Sequence, residues 1–365
     1  MKTLYDSVRN AFLQIMKQRS LNQLWRKQTK GIKLRKLSKE QEKQIQDYYK
    51  ECIGRKVTTR WHRLFYSLTG EFNYRYLPFD VFVDMYHRLS PWNYQKIMDD
   101  KNMYRQFLSE FNFPDRYLEC MRGVFYLPQN GNNQVSLDEV ISYCQNLEEC
   151  IIKPSRDSSA GIGVRLLSLN DGIDKRTGDS IEKIIKSYGQ HFLIEKRMVE
   201  QESLSVLNPS SCNTIRVHTF RNRKKEKIEF VSAHVRIGRD GSIIDNGSSG
   251  GIRSVVHQDG MLSDFACATK PKYVLCEKTD SGVLVRTHKI EKFHQIIETA
   301  VAAHERIPFF DIIGWDMLID QDGKVVIIEY NPNPDMKMQQ LIYKDSVLGD
   351  MQESILKQAF NKQNK

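Results

Sequence analysis

The segment that most constrains this chain is residues 314–334, GWDMLIDQDGKVVIIEYNPNP. Asp322-Gly323 between two apolar runs predicts a two-residue β-hairpin turn. With Gln321 facing Lys324, Asp316 falls directly opposite Glu329, their Cβ atoms roughly 4.5–5.5 Å apart. Asn331, two residues beyond Glu329, points to the same face. Two carboxylates this close repel unless a cation lies between them. Oxygen-only ligands suit a hard ion such as Mg²⁺. A solvated surface hairpin would account for Asp320 and Asp322, but it accounts poorly for Glu329, which closes the apolar run of residues 325–328.

A second segment, residues 151–164, reads IIKPSRDSSAGIGV. Lys153 ends a short apolar strand, where an ammonium needs an anionic partner or an exit to water. Ser158, Ser159, Gly161 and Gly163 follow in a loop of small residues, whose backbone N–H groups can come close to phosphate oxygens. No Gly-Lys-Ser/Thr follows and the spacing is not GxGxxG, so neither of those phosphate loops is present. An ordinary glycine hairpin is the competing reading.

The rest of the chain sets the fold class. From about residue 120, β-rich runs at 123–127, 150–153, 191–195, 213–220 and 228–236 are interrupted by helical stretches at 180–187 and 291–305. Mixed strand and helix with several hairpins predicts an α+β fold rather than a doubly wound parallel sheet. Ser38-Lys39-Glu40-Gln41 has the form of a capping box and predicts a helix start. Residues 57–100 carry helical patterning with turns near Gly70 and Pro91.

Charge and cysteine usage narrow the classes further. Residues 1–38 hold ten basic side chains against one acid, Asp6, so nearly all of the +10 net charge sits in an N-terminal arm. The body is close to neutral, which argues against nucleic-acid binding by the whole protein. Within the arm Leu4, Val8, Phe12, Ile15 and Met16 recur at helical spacing. That pattern fits an amphipathic helix lying on an anionic membrane or clasped on the protein's own body. Seven cysteines at scattered spacings with no CxxC predict reduced thiols. The first residues have no continuous apolar core, so no signal peptide is expected. The expected location is cytoplasmic, at the inner membrane face if the arm engages lipid.

In order and spacing these segments resemble the ATP-grasp superfamily. IKPSRDSSAGIGV is similar to the lysine strand and phosphate lid of D-alanine–D-alanine ligases, and GWDMLID with IIEYNPNP to their metal hairpin. The resemblance implies an ATP-grasp fold of two α+β lobes clasping ATP. It makes Asp316, Glu329 and Asn331 the ligands of two Mg²⁺ ions, with Mn²⁺ as a substitute. Lys101, in Asp100-Lys101-Asn102, and Lys153 would hold the phosphates, with Ser158, Ser159, Gly161 and Gly163 as the lid. In FLIEKRM, Glu195 would face the adenine amino group, and the backbone around Lys196 and Met198 would bond the ring. Glu202 suits the ribose acid, with Gln201 and Glu200 as rivals. Arg216, in NTIRVHT, would point at the γ-phosphate or acyl phosphate, with Arg253 a second candidate cation. Asn246 and the glycines after it would shape the acceptor side.

The N-terminal texture, including Trp61-His62 and TGEFNYRYLPFDVF, is similar to the sugar-transfer-associated ATP-grasp proteins linked to surface-polysaccharide synthesis. One departure is Gly314, where D-alanine ligases carry an arginine that helps bind the acyl phosphate; Arg216 or Arg253 would have to replace it. Domains are expected at 1–37 (arm), 38–100 (helical), 101–197 (small lobe), 198–350 (large lobe) and 351–365 (tail). The implied activity is a carboxylate-amine ligase joining an amino acid or amine to a carboxylate-bearing sugar through an acyl phosphate. A sugar kinase on the same fold is the main alternative. A non-catalytic basic binding protein is the other.

Overall fold

A computed structural model describes residues 16, 18–131, 133–156, 158, 161–239, 241, 242, 245, 250–268, 273–334, 336 and 339–361. The chain divides into two compact units, Met1–Arg88 with Asp335–Lys365, and Leu89–Pro334. Most of the predicted amphipathic stretch of the arm, residues 1–15, lies outside the described residues.

The first unit is helical, with helices Lys39–Ile53, Arg60–Thr69 and Gln352–Phe360 among its elements. The capping box is present at its first helix: Gln41 N donates to Ser38 Oγ (3.1 Å) and Ser38 N to Gln41 Oε1 (2.9 Å), satisfying two otherwise orphaned amides. Ile45, Tyr49, Leu64, Phe65 and Ile355 are buried in it. Tyr49 Oη donates to Tyr76 O (2.9 Å), which answers the polar end of a fully buried ring.

The second unit holds two antiparallel seven-stranded sheets. The first runs β3 (Asn133–Val135), β2 (Val124–Leu127), β1 (Arg116–Met121), β7 (His191–Lys196), β4 (Glu149–Pro154), β5 (Arg165–Asn170), β6 (Ile173–Asp174). Buried residues of helices Leu137–Cys144 and Ile181–Tyr188 share its core. The second runs β12 (Val274–Cys276), β11 (Ala266–Ala268), β10 (Ile252–Val255), β9 (Lys227–Ile237), β8 (Thr214–Asn222), β13 (Ile312–Ile319), β14 (Val325–Asn331). Helix Phe293–Glu305 covers one face through Phe293, Ile296, Ala300 and Ala303, together with Ile215, Val217 and Trp315 of the strands. The other face carries Arg216, His234, Arg236 and Asp316. Strand alternation therefore separates an oily side from a polar one.

The hairpin differs from its sequence expectation. Asp320 N donates to Lys324 O (2.9 Å) and Gly323 N to Asp320 O (3.0 Å), so the turn occupies residues 321–323, not Asp322-Gly323 alone. Gly323 takes φ +79°, the left-handed conformation that a three-residue loop of this kind asks of its last residue. Met317 pairs with Ile327, one residue out of the expected register, yet Asp316 pairs with Glu329. A bulge between the two pairs absorbs one extra residue on β14 and restores the juxtaposition.

Among the described residues four histidines, His62, His218, His234 and His304, are buried, and burial lowers the pKa of each. Burial pushes His62 down to about 4 and His218 and His304 down to about 3. The unfolded chain protonates them near pH 6.5 while the folded chain does not. It therefore binds more protons between those limits, and stability falls as pH drops through that window. Each histidine contributes about 2 kcal/mol of loss at pH 5. Glu200 and Asp245, pushed up by burial, work in the opposite sense. Replacing His304 with glutamine should flatten the slope of stability against pH between 5 and 7 by about one histidine's share, measured by denaturant unfolding. An unchanged slope would show that His304 is protonated in the fold.

Candidate functional site

A cavity in the second unit is lined by both sheets. Apolar side chains, Ile151, Val164, Leu166, Met198 and Ile328, line part of it. Charged groups line another part, among them Lys101, Lys153, Asp316 and Glu329.

Lys153 reaches the cavity from the end of β4. It is 7% exposed and its Nζ is ion-paired with Glu195 on the neighbouring β7. Arg116 Nη2 lies 3.8 Å from the other oxygen of Glu195. A nearly dry ammonium is thus paired with a carboxylate one strand away, the anionic partner that its position at the end of an apolar strand requires. Lys101 stands where chain and loop are laced together: its N donates to Ser155 O (2.9 Å), and its Nζ donates to Ser158 Oγ (3.2 Å). The same Nζ lies 3.9 Å from Glu329 Oε2. One lysine therefore links the small-residue loop to the carboxylate hairpin. In that loop Gly163 has φ +76° and an added Cβ would come within 2.8 Å of Pro154, so both conformation and space demand glycine there.

Asp316 is 1% exposed at the centre of a charge network. Arg216, its partner on β8, donates from Nε to Oδ1 and from Nη2 to Oδ2 (2.7 Å). Arg236 on β9 donates from Nη1 to Asp316 Oδ2 (2.7 Å) and from Nη2 to Asp245 Oδ1 (2.8 Å). Asp245 also accepts from Thr214 N (3.1 Å) and Thr214 Oγ1. Burial alone would raise the Asp316 pKa, but the two guanidiniums outweigh it and hold the carboxyl well below the usual range. Burial likewise opposes the charge of Arg236, and Asp245, Asp316 and Glu329 overcome it and raise its pKa.

The donor set fits a hard divalent cation. An ionised carboxylate offers about four lone-pair sites. Three guanidinium N–H groups occupy three of those on Asp316, which leaves one. Glu329 is only partly covered, and Asn331 lies 3.4 Å from it through Nδ2, on the same hairpin face. Among the described residues no three His, Cys, Asp or Glu side chains gather at one point, so the third oxygen would come from the amide of Asn331.

The structure brings Lys101, Lys153, Ser158, Gly161, Glu195, Lys196, Met198, Asp316 and Glu329 to this cavity. Gly163, Arg216, Arg253 and Asn331 do not line it, although Arg216 grips Asp316 from behind. Glu195 is engaged by Lys153, and the Lys196 amide donates to Asp115 O (2.8 Å). Glu202 is exposed in a short helix outside the cavity. Glu200 lines the cavity instead, buried and accepting from Asn213 N (2.8 Å) and Nδ2 (2.9 Å). Ser159 and Asn246 lie outside the described residues. The sequence reading missed Arg236 and Asp245. Arg236 sits in the apolar strand run VSAHVRIG, and a charge in such a run was the available signal.

Gly314 has a structural cause. A Cβ built there would lie 2.6 Å from Pro334 Cβ and 3.2 Å from Arg216 Cδ. An arginine cannot occupy the position, and the guanidiniums near Asp316 come from strands β8 and β9. Gly314→Ala should destabilise the protein by roughly 1–3 kcal/mol, the usual cost of overpacking, seen as a lowered thermal midpoint. An unchanged midpoint would mean that Pro334 yields freely.

Two antiparallel sheets around a cavity with paired lysines and a carboxylate hairpin define an ATP-grasp fold. The chain belongs to the sugar-transfer associated ATP-grasp family, which it matches over residues 83–355. No curated protein matches it. Among solved structures it is similar to the VanG D-Ala:D-Ser ligase from Enterococcus faecalis (12% identity, TM-score 0.42, 72% of this chain and 60% of that one). It is also similar to D-alanine–D-alanine ligase from Bacillus anthracis complexed with ATP (14%, 0.42, 73% and 66%). A third is N5-carboxyaminoimidazole ribonucleotide synthetase from Thermotoga maritima (14%, 0.39, 73% and 52%). The chain thus spans less than two thirds of the length of each.

Proposed function

We propose that this protein is a Mg-ATP-dependent carboxylate-amine ligase. It would join an amino acid or amine to a uronic-acid sugar or a related surface-polysaccharide precursor, releasing ADP and phosphate. The observation that carries this reading is the register of Asp316 opposite Glu329 beside a cavity that also presents Lys101 and Lys153. The apolar side chains would take the adenine ring and the lysines the phosphates, while Glu200 is better placed than Glu202 for the ribose.

Glu329, Asn331 and one lone pair of Asp316 would hold Mg²⁺, which when bound supplies charge neutralisation to the phosphates. The reaction then asks this chain chiefly for position and field. A substrate carboxylate oxygen attacks the γ-phosphorus, ADP leaves, and the amine displaces phosphate from the acyl phosphate. Lys153 and Lys101 offset the charge on the transferring group. Arg216 and Arg236 keep Asp316 ionised and fixed in direction. The loop around Ser158 would close over the phosphates and exclude water. No nucleophilic side chain is needed.

The test is Mg-ATP consumption against amino acids crossed with uronic acids and their nucleotide-linked forms, with mass spectrometry of the products. ADP together with a product one water lighter than the combined substrates supports the ligase. A phosphorylated sugar with no condensation would replace it by a kinase. We place the protein in the cytoplasm, with the basic arm, residues 1–36, touching anionic membrane. Removing those residues should lower sedimentation with phosphatidylglycerol vesicles about tenfold or more, since each basic residue near such a surface contributes about 1 kcal/mol. Equal sedimentation would reject the membrane contact.

A further inference from the structure

A second cleft of the same unit borders the nucleotide cavity and shares Ser158 with it. Trp92, Lys96, Arg156, Asn331 and Asn333 line it, with Asp99 as the one carboxylate among its described lining residues. Its composition differs from that of the cavity: it offers carboxamides and cations in place of a row of aliphatic side chains. Its position is fixed from two sides. Ser158 belongs to the loop tied to Lys101, and Asn331 is the last residue of the carboxylate hairpin. A molecule in this cleft therefore sits at the phosphate end of the nucleotide site.

Trp92 is 62% exposed, the most exposed aromatic residue among the described residues, and Lys96 Nζ stands 5.6 Å from its ring centroid. An indole left in water on the wall of a polar cleft offers a flat, electron-rich surface. The apolar C–H face of a pyranose, slightly positive, complements that surface. A carboxamide can both donate to and accept from hydroxyls, as Asn333 would, while Asn331, its oxygen given to Mg²⁺, would only donate. Arg156, 41% exposed at its side chain, has Asp100 at 3.8 Å from Nε, a loose pairing that a planar carboxylate could replace with bidentate hydrogen bonds.

We infer that this cleft is the subsite for the acidic sugar, with the ring on Trp92, the hydroxyls on Asn331 and Asn333, and the carboxylate drawn by Arg156 towards the Ser158 edge, where phosphoryl transfer takes place. The inference rests on the ligase reading given above.

Titration calorimetry of the full-length protein in MgADP, with oligosaccharides of one to four glucuronic or galacturonic acid units and with glucose oligomers of the same lengths, tests it. The expected result is saturable binding of the acidic sugars. Trp92→Ala should weaken it about tenfold or more, and Arg156→Gln should weaken the acidic sugars alone, with MgADP affinity unchanged in both. Wild-type protein that binds MgADP but no acidic sugar, or a Trp92→Ala protein that binds acidic sugar as the wild type does, overturns the subsite and leaves the nucleotide reading standing. Wild-type protein that binds acidic sugar but not MgADP overturns the ligase reading instead.

Discussion

Replacing Glu329 with glutamine is expected to lower turnover on the order of a thousandfold while leaving the fold intact. Glu329 is only partly covered, with Lys101 at 3.9 Å and Asn331 at 3.4 Å among its neighbours, so an isosteric amide loses little packing. It does lose the negative charge through which Mg²⁺ would be held opposite Asp316. Charge stabilisation of this kind in a dry site is commonly several kcal/mol. Each 1.36 kcal/mol is tenfold in rate. The measurement is kcat for Mg-ATP consumption beside a thermal melt. The sharper readout is the Mg²⁺ concentration for half-maximal rate, which should rise steeply in the variant. A Glu329→Gln protein with wild-type kcat and wild-type Mg²⁺ dependence would remove the hairpin from the mechanism.

Arg236→Met is expected to cost about 3–5 kcal/mol of stability, the range seen when one partner of a buried ion pair is removed. Asp316 would keep Arg216, but Asp245 would be left with the Thr214 amide and hydroxyl against full burial. The methionine fills most of the volume, so the loss reports charge rather than cavity. Denaturant unfolding measures it. Adding Asp245→Asn should recover a good part of the loss, since the second change removes the carboxylate that the first left unpaired. A cost below about 1 kcal/mol, or strict additivity in the double variant, would mean that the network is already solvated.

The two variants separate the roles of neighbouring carboxylates. Glu329 faces the cavity with few partners, and Asp316 is locked from behind by two arginines. Under the proposed function Glu329 would mainly bind and Asp316 would mainly be held in direction, a division that paired sequence positions alone cannot distinguish.

Much of the architecture was legible because it is local. The capping box at Ser38 is four residues of chemistry, and it forms. The β-rich runs at 150–153, 191–195, 213–220 and 228–236 became strands β4, β7, β8 and β9, since their apolar character needs no distant partner to be read. The facing of Asp316 and Glu329 follows in sequence from a two-residue turn that the protein does not make. The three-residue loop shifts the register by one, and the bulge on β14 shifts it back.

The sequence by itself determined the polar and apolar faces of the strands, the glycine-dependent loop and the spacing of the hairpin carboxylates, all properties of side-chain alternation and turn chemistry within a few residues. Only the tertiary structure decided which arginines serve Asp316, that Glu200 rather than Glu202 reaches the cavity, and why residue 314 must be glycine. Arg236 and Asp316 are 80 residues apart and meet because β9, β8 and β13 are neighbours in one sheet. That order is set by how the strands bury their oily face against helix Phe293–Glu305, a condition that no window of sequence contains.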